Sequence, residues 1–480
     1  MQKRIRFGII FLAVLIAQIS NAQEKWSLET CIQYAIDNNI QIKQQNLYTE
    51  IQENQLQSTK LSALPSLNTS AYESLQLGRN VDPYTNDFTE NNTQSFNMDV
   101  SAQVDLFRGG QRFHEIKKSQ LNLKAGLKDL EKAKNDLSVN IANAFFNVLF
   151  NEELLEVSIQ QLETTMEQLE NTKKLVNGGA MAQGNLLEVQ SQVANEELQV
   201  VSAENNLDLA YLTLIQFLEL DSIKGFKIDR PTINPIDEGI ILPAARQVYL
   251  EAEMIMPEIE RSELDMAIAN RDLALARSNF YPSLVLSASY GSGYSSARKD
   301  IDEIIPANPM LIGYGINSTT GDMFDVYQYG FDYTYKNRPF SDQIKDNASA
   351  SLSLGLSIPI FNGWQIRSSV NTSKINYDIS KYSLELTKKN LLREIQQAYA
   401  DASAAQKKYI ATEKALNSMK ESFRYTQKRF DIGLVTSLEY NTAKNQLNQT
   451  ESELLRSKYE FIFKQKILDF YRGIPISISQ

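Results

Sequence analysis

Residues 347–358 read NASASLSLGLSI, and residues 95–106 read SFNMDVSAQVDL. Both stretches alternate polar and apolar side chains, so a strand formed by either one would have a polar face and an apolar face. Each is about 12 residues long, the length of a tilted strand that crosses a bilayer. The two stretches therefore predict strands of a membrane-spanning sheet. The alternative is a soluble sandwich or a surface sheet, which would show the same alternation.

A long heptad pattern follows each of these strands. Apolar residues recur at steps of three, four and seven over about residues 111–176 and again over about 365–431. This spacing is typical of a coiled-coil seam, and a helix of that length extends roughly 100 Å. Gly179 and Gly433 lie just beyond the two patterns, where glycine adopts the left-handed cap conformation at low cost. The sequence therefore predicts two very long helices, each followed by a tight turn and a returning helix.

The chain repeats itself. An offset of 254 residues places Gly179 on Gly433 and holds from about residue 104 to 219. An offset of 217 residues places residues 64–67 on residues 281–284, so 37 additional residues lie between the two strands of the second half. Such self-similarity defines an architecture before any single motif does. We predict an α + β membrane protein built from a duplicated helix–strand–strand–helix repeat.

The predicted chain has a signal peptide at 1–22, and the duplication divides the rest into a first repeat at 23–230 and a second repeat at 231–480. The first repeat has predicted strands at 66–77 and 95–106 and a long helix at 111–176. The second has predicted strands at 283–291 and 347–358 and a long helix at 365–431.

Four strands are too few to close a barrel, because about eight is the smallest number that packs. An open sheet edge is excluded from hydrocarbon, since its backbone groups would lack hydrogen-bond partners. Other copies of the chain must therefore complete the sheet. We expect four strands from each chain and twelve in a trimer.

The N-terminus has the pattern of a secretory signal. Lys3, Arg4 and Arg6 precede an apolar run over residues 7–19, and Ser20-Asn21-Ala22 forms a small-residue cleavage site. Removal of those three cations lowers the net charge from −10 to −13. An acidic chain of this kind argues against nucleic acid as a partner.

Composition also argues against catalysis. The sequence contains one His and one Cys, which excludes an intrachain disulfide and a Cys-based metal site. It contains no nucleophile elbow and no phosphate-binding loop. We therefore expect no enzymatic activity, no metal and no cofactor. Cys31, on an apolar helical face, is expected to be a buried core residue.

Three motifs resemble those of the TolC family of outer-membrane efflux proteins. Residues 26–39 resemble the opening helix of that family, and residues 179–190 and 433–439 resemble its two helix-tip motifs. The resemblance covers essentially the whole mature chain. It implies a homotrimer with one transmembrane β-barrel in the outer membrane of a Gram-negative bacterium and a coiled-coil helical barrel in the periplasm. It also implies export of small molecules or proteins, together with a periplasmic adaptor and an inner-membrane transporter.

The resemblance further implies roles for the helix tips. In the family, carboxylates after the second tip glycine surround the periplasmic aperture, and here the corresponding positions hold a glutamate and a threonine. The aperture candidates are Glu439, Thr442 and, at the equivalent position of the first repeat, Asn185. The adaptor-docking candidates are Gly179, Met181, Gly433, Leu434 and Val435. The alternatives are that Glu439 is a solvated helix-surface residue and that the apolar residues pack within the tip.

Two further interpretations concern the whole chain. The segment between the two strands of the second half, about 292–346, holds the additional residues and is rich in tyrosine. It is expected to form an external hairpin or a partly ordered lid. A non-conducting trimeric coiled coil that tethers the layers of the cell envelope is the alternative to a channel. Such a tether would have no need of amphipathic strands. A secreted adhesin is a weaker alternative, because the chain lacks repeated surface modules.

Overall fold

A computed structural model describes residues 25–81, 86, 88–89, 92–222, 225–231 and 241–477. The predicted signal peptide lies outside these residues. The described chain forms a helical unit and a sheet unit. The helical unit comprises the described residues up to Gln55, then Ser119–Asn270, and then those from Lys374 onward. The sheet unit comprises Leu56–Lys118 and Arg271–Ser373.

The predicted long helices and the four predicted strands occur in the predicted order, and six further strands and one short helix lie between them in the described chain. The helices are α1 (Leu28–Asn38), α2 (Ile40–Leu61), α3 (Gln111–Asn177), α4 (Gln183–Leu218), α5 (Ala245–Ile255), α6 (Pro257–Ser278), α7 (Phe340–Asp346), α8 (Gln365–Asp431) and α9 (Ser437–Tyr471). The strands are β1 (Ser66–Gln76), β2 (Asn80–Val81), β3 (Phe88–Thr89), β4 (Thr93–Arg108), β5 (Ser283–Ser295), β6 (Lys299–Pro306), β7 (Met310–Ile316), β8 (Met323–Gln328), β9 (Phe331–Asn337) and β10 (Ser349–Ser357). None of the helices within the described residues has an apolar stretch long enough to span a membrane.

Four strands form the main sheet in the order β1-β4-β5-β10, and every neighbouring pair is antiparallel. β5 continues to Ser295, beyond its predicted end, because it remains paired with β4 through Ser95. β10 starts at Ser349, two residues later than predicted. The reason is that Asn347 ends α7, where its backbone N–H donates to the Gln343 carbonyl at 2.8 Å.

The two halves of the chain build equivalent cores in the helical unit. Cys31 and Ile141 are fully buried in one apolar cluster. Val248 and Ile395, their counterparts at offsets of 217 and 254, are fully buried in a second cluster. Burial raises the pKa of the Cys31 thiol to about 12, so this Cys is an apolar core residue, as predicted.

Each half opens with two helices separated by a break. A polar residue marks the break in the first half and a proline marks it in the second. The side chain of Asn39 accepts hydrogen bonds from the backbone N–H groups of Gln41, at 2.9 Å, and Ile42, at 3.3 Å. It therefore caps α2. In the second half, Pro257 is the first residue of α6, a position where its missing N–H costs nothing.

Candidate channel wall and helix tips

The register of the main sheet places its apolar side chains on one face. Val100 of β4 lies opposite Tyr290 of β5, and Ala288 of β5 lies between Ala102 and Leu352. Paired residues of neighbouring strands point to the same side of a sheet. The apolar face therefore contains Leu67, Thr69, Ala71, Leu75, Phe96, Met98, Val100, Ala102, Val104, Leu284, Leu286, Ala288, Tyr290, Ala350, Leu352, Leu354 and Leu356.

The opposite face is dominated by small polar side chains. The hydroxyls of Ser289 and Ser351 are 2.8 Å apart, and those of Ser74 and Ser95 are 2.7 Å apart. Serines and amides continue this face across all four strands as Ser66, Asn68, Ser70, Asn97, Ser101, Gln103, Ser283, Ser287, Ser349, Ser353 and Ser357. One apolar face and one face of small polar groups are the two surfaces that the wall of a water-filled membrane barrel presents to lipid and to its lumen.

One charged residue lies on the apolar face. Glu73 of β1 is opposite Phe96, and its carboxylate accepts a hydrogen bond from the side chain of Gln94. Glu73 is three residues from the end of β1 at Gln76, so its charge lies near the rim of the sheet. A charge near the rim costs far less in a membrane than one at the centre of a strand.

The sheet has two open edges. Within the described residues, β1 pairs only with β4, and β10 pairs only with β5. The outer backbone N–H and C=O groups of these edge strands therefore have no strand partner in this single chain. Because a lipid-facing edge of this kind is unstable, the sheet is complete only when other strands pair with it.

The two helix tips share one turn geometry. Gly179 and Gly433 have φ values of 74° and 75°. In the first tip the Gly179 N–H donates to Val176 and the Ala180 N–H to Leu175; in the second, Gly433 and Leu434 donate in the same way to Phe430 and Arg429. These paired bonds define a Schellman motif, which requires the left-handed conformation at its glycine.

The helices that return from the two tips begin differently. The Thr436 hydroxyl accepts the Glu439 N–H at 3.2 Å, and the Glu439 carboxylate accepts the Thr436 N–H at 3.0 Å. This reciprocal pair is a capping box. In the first repeat, Ala182 and Asn185 occupy the equivalent positions, and Ala182 makes no side-chain cap. Glu439 therefore holds the start of α9 in addition to carrying a charge.

The remaining tip candidates differ in exposure. Leu434 is 65% exposed, and its neighbour Ile432 is 70% exposed. Gly179 and Gly433 are also exposed, whereas Met181, Val435 and Asn185 are half-buried. Thr442 is exposed, and its hydroxyl donates to the Leu438 carbonyl at 2.8 Å. Leu438, which the sequence analysis did not select, is 69% exposed and widens the apolar surface of the second tip.

A buried polar cluster joins three helices behind the tips. Glu196 of α4 and Lys444 of α9 are both buried, with 3.5 Å between a carboxylate oxygen and the ammonium nitrogen. Thr165 of α3 lies between them, accepting a hydrogen bond from Lys444 and donating one to Glu196. Gln192 donates to Glu196 at 2.8 Å and to Asn445 at 2.9 Å. Sequence reasoning missed this cluster, because each residue alone reads as an ordinary polar position on a helix.

Within the described part of the chain, no group of three or more His, Cys, Asp or Glu side chains is arranged to hold a metal ion. The polar groups described above instead line a surface, cap helices or join them.

Comparison with known proteins identifies the family. The model of the family described as "Outer membrane efflux protein" matches residues 31–218 and 249–468. The chain is 22% identical to outer membrane protein TolC of Escherichia coli (strain K12) over 401 residues, which cover 81% of this chain and 72% of TolC. It is also 22% identical to the cation efflux system protein CusC of Escherichia coli (strain K12) over 453 residues, which cover 90% of this chain and 83% of CusC.

Solved structures agree on the fold. A crystal structure of CusC superimposes with a TM-score of 0.72 at 18% identity and covers 93% of this chain and 92% of that one. The outer membrane protein VceC from Vibrio cholerae gives a TM-score of 0.70 at 15% identity and covers 93% and 96% of the two chains. The family model covers most of the sequence, so this chain belongs to the outer membrane efflux protein family: it is an efflux channel of the Gram-negative outer membrane and not an enzyme.

Proposed function

We propose that three copies of this chain form one export channel that acts with a periplasmic adaptor and an inner-membrane transporter. Membership in the family implies trimeric efflux assemblies. The observation that carries the proposal is the main sheet, with its apolar face, its serine-rich face and two open edges. Three such sheets, joined edge to edge, make a closed wall of twelve strands around a polar lumen.

Reconstitution tests this proposal against the tether. The purified protein, freed of its signal peptide, is added to planar lipid bilayers, and its mass is measured in detergent. A channel gives discrete conductance steps from a particle three times the mass of the chain. A tether gives a trimer without conductance steps, and a monomeric particle contradicts both.

The class of cargo depends on the transporter that is coupled to the channel. The relatives include CusC, a cation efflux system protein, AprF, an alkaline protease secretion protein of Pseudomonas aeruginosa, and TtgI, a toluene efflux pump outer membrane protein of Pseudomonas putida. Because one architecture serves such different cargoes, we propose that the channel wall supplies the passage and the partner transporter selects what enters it.

We propose that Glu439 contributes one carboxylate per chain to a ring at the periplasmic aperture, with Thr442 and Asn185 nearby. Only one of these three side chains is charged, so the ring holds three charges in a trimer. Because Glu439 also caps α9, a test of the ring needs a substitution that removes the charge and keeps the cap. Glu439→Gln removes the charge and keeps a side chain that can accept the Thr436 N–H, whereas Glu439→Ala would also loosen the helix.

The measurement for this ring is single-channel conductance with and without a blocking divalent or trivalent cation. Glu439→Gln is expected to weaken cation block several-fold, because attraction at a narrow aperture depends on fixed charge. Thr442→Val, which removes a hydroxyl and no charge, is the control. Unchanged block in Glu439→Gln would leave Glu439 with a capping role alone.

We propose that the tip turns contact the adaptor. Gly179, Met181, Gly433, Leu434 and Val435 lie in these turns, and the exposed Leu434 supplies the largest apolar surface among them. A photo-crosslinker that replaces Leu434 is expected to capture the adaptor in cells, and one that replaces the exposed Tyr425 on α8, about two helical turns away, is the control. Failure of the Leu434 probe to capture the adaptor, or equal capture from Tyr425, contradicts the proposal.

We also propose that residues 23–230 and 231–480 are two copies of one repeat, preceded by a signal peptide at 1–22. The separate family matches at 31–218 and 249–468 and the equivalent buried positions support the repeat. N-terminal sequencing of the mature protein tests the cleavage site, with Gln23 as the expected first residue.

A further inference from the structure

The additional residues of the second half form one long two-stranded ribbon. β6 pairs with β9 from Lys299 opposite Asn337 to Pro306 opposite Phe331, and β7 pairs with β8 beyond them. The Ala307 N–H donates to the Gly330 carbonyl at 3.0 Å and joins the two ladders. Residues 299–337, hereafter the ribbon, therefore extend roughly 60 Å from the main sheet if fully extended.

The base of the ribbon is fixed to β5. Gln343 of α7 is fully buried; its side chain accepts the Ser295 N–H at 3.0 Å and donates to the Ser295 carbonyl at 3.0 Å. Asn347 donates to the Gly293 carbonyl at 2.7 Å. Arg338, at the foot of β9, pairs with Asp300 at 3.0 Å. These bonds fix the position at which each copy projects its ribbon.

The inner half of the ribbon has one apolar face. The cross-strand pairs Ile301–Tyr335, Ile304–Tyr333 and Pro306–Phe331 lie on that face, which begins at the base with the polar pair Lys299–Asn337. The pairs Asp300–Lys336, Glu303–Thr334 and Ile305–Asp332 lie on the other. All six apolar side chains of the apolar face are exposed in the single chain, with Tyr335 at 60% and Ile304 at 59%. An isolated two-stranded ribbon is marginally stable in water, so a face of this composition needs a covering surface.

We infer that these faces cover one another: in the assembled channel, the apolar faces of the three ribbons pack together about the three-fold axis. The inference rests on the proposed trimer. Half-exposed aromatic and branched side chains each offer about 100 Å², so the six offer about 600 Å² per copy. About a three-fold axis the three copies then bury roughly 1,800 Å² together, or roughly 600 Å² for each pair. That area is smaller than a stand-alone specific interface, so the contact depends on the ribbons being held close together by the sheet.

The attachment of the three ribbons to one barrel also favours packing of each ribbon against other copies of this chain. A twelve-stranded barrel is roughly 25 Å across, so three ribbons anchored to its rim are closer together than each ribbon is long. Their effective concentration is then in the millimolar range, which favours contact between copies over contact with a free protein. The charges agree with this arrangement. Asp300, Glu303 and Asp332 lie on the opposite face and remain in water. The apolar face carries no acid, and its one cation, Lys299, lies at the base of the ribbon.

Photo-crosslinking at two adjacent positions tests the inference. The photoreactive amino acid p-benzoylphenylalanine replaces Tyr333, on the apolar face, or Thr334, on the polar face, in the full-length protein. Both variants are purified, their mass is measured, and they are irradiated in lipid. We expect Tyr333 to give covalent dimers and trimers of this chain and Thr334 to give none.

The other outcomes contradict the inference in separable ways. If the particles are trimeric and the probe at Tyr333 links to lipid, to another protein or to nothing, the ribbon inference fails while the proposed channel stands. Equal linking from Thr334 also overturns it, because the apolar face would then have no special role. If the particles are not trimeric, the proposed assembly itself fails.

Discussion

Glu196 and Lys444 are single residues on which three helices depend. Burial lowers the pKa of the Lys444 ammonium, and the Glu196 carboxylate opposes that shift. Both charges are out of water, so the cost of their desolvation is offset only while each faces the other and Thr165. Removal of one charge would leave the other buried and unpaired.

Glu196→Gln is therefore expected to lower the free energy of unfolding by about 3–5 kcal/mol. Thermal unfolding of the purified protein, followed by circular dichroism, measures the effect. Glu453→Gln is the control, because the exposed pair of Lys408 and Glu453, at 2.7 Å, should contribute about 1 kcal/mol or less. The double variant Glu196→Gln with Lys444→Met should recover most of the loss, and equal loss in the single and double variants would contradict this account.

The cap of α9 gives a second prediction at the residue scale. Thr436→Ala removes the acceptor for the Glu439 N–H and is expected to cost about 0.5–2 kcal/mol, confined to the second tip. Hydrogen exchange of the first amides of α9 measures it. Ala182→Thr should slow exchange at the start of α4, where no side-chain cap exists. Unchanged exchange in both variants would mean that the caps do not control the tips.

The cap of α9 and the buried pair of Glu196 and Lys444 differ in how well the sequence predicts them. The run Thr436-Ser437-Leu438-Glu439 carries the signature of a capping box, a threonine followed three residues later by glutamate. The buried pair has no such signature. Glu196 and Lys444 are 248 residues apart, and only the packing of α4 against α9 brings them together.

At the scale of elements, the alternation of side chains predicted the strands, and the heptads predicted the long helices. α8 spans Gln365–Asp431, the range of an uninterrupted heptad pattern, and Gly433 lies just beyond its C-terminal end. The sequence did not predict which strands pair with one another. β4 pairs with β5 across the two halves. The alternation within a strand shows which of its faces is apolar, but it does not show which strand lies beside it.

The two faces of β10 provide a matched pair of variants. Leu354→Lys places a charge on the apolar face, where a lysine near the middle of the bilayer costs about 2–4 kcal/mol. Fewer folded channels should then reach the outer membrane. Ser353→Lys, one residue away on the polar face, should fold normally and change the ion selectivity of the channel. Normal yield of Leu354→Lys would place this face away from lipid.

At the scale of the whole molecule, the sequence repeats and the compact units are different divisions of the same chain. Each repeat contributes helices to the helical unit and two strands of the main sheet to the sheet unit. The proposed boundary near residue 230 would therefore separate copies in the sequence without separating folded bodies. The repeat was readable from two constant offsets, whereas the two units depend on contacts between halves that periodicity does not encode.

The charge state of the helical unit makes its stability depend on pH. Burial raises the pKa of the Glu258 carboxyl above its ordinary value of 4.5; the carboxylates of Glu394 and Asp136 raise it further, and Lys132 opposes them. The folded state therefore holds this proton more tightly than the unfolded state does. Its contribution to stability is fully present below pH 4.5 and is lost as the pH rises through the raised pKa.

Glu258→Gln makes the protonated shape permanent, so this variant is expected to unfold at a higher temperature than the wild type at pH 8. The difference should shrink as the pH falls toward 4.5, because the Glu258 carboxyl of the wild type becomes increasingly protonated over that range. Thermal unfolding at a series of pH values measures the difference, with Glu263→Gln, a more exposed carboxylate of the same helix, as the control. A stabilisation that is the same at every pH would assign the effect to packing of the amide and would remove Glu258 as the titrating group.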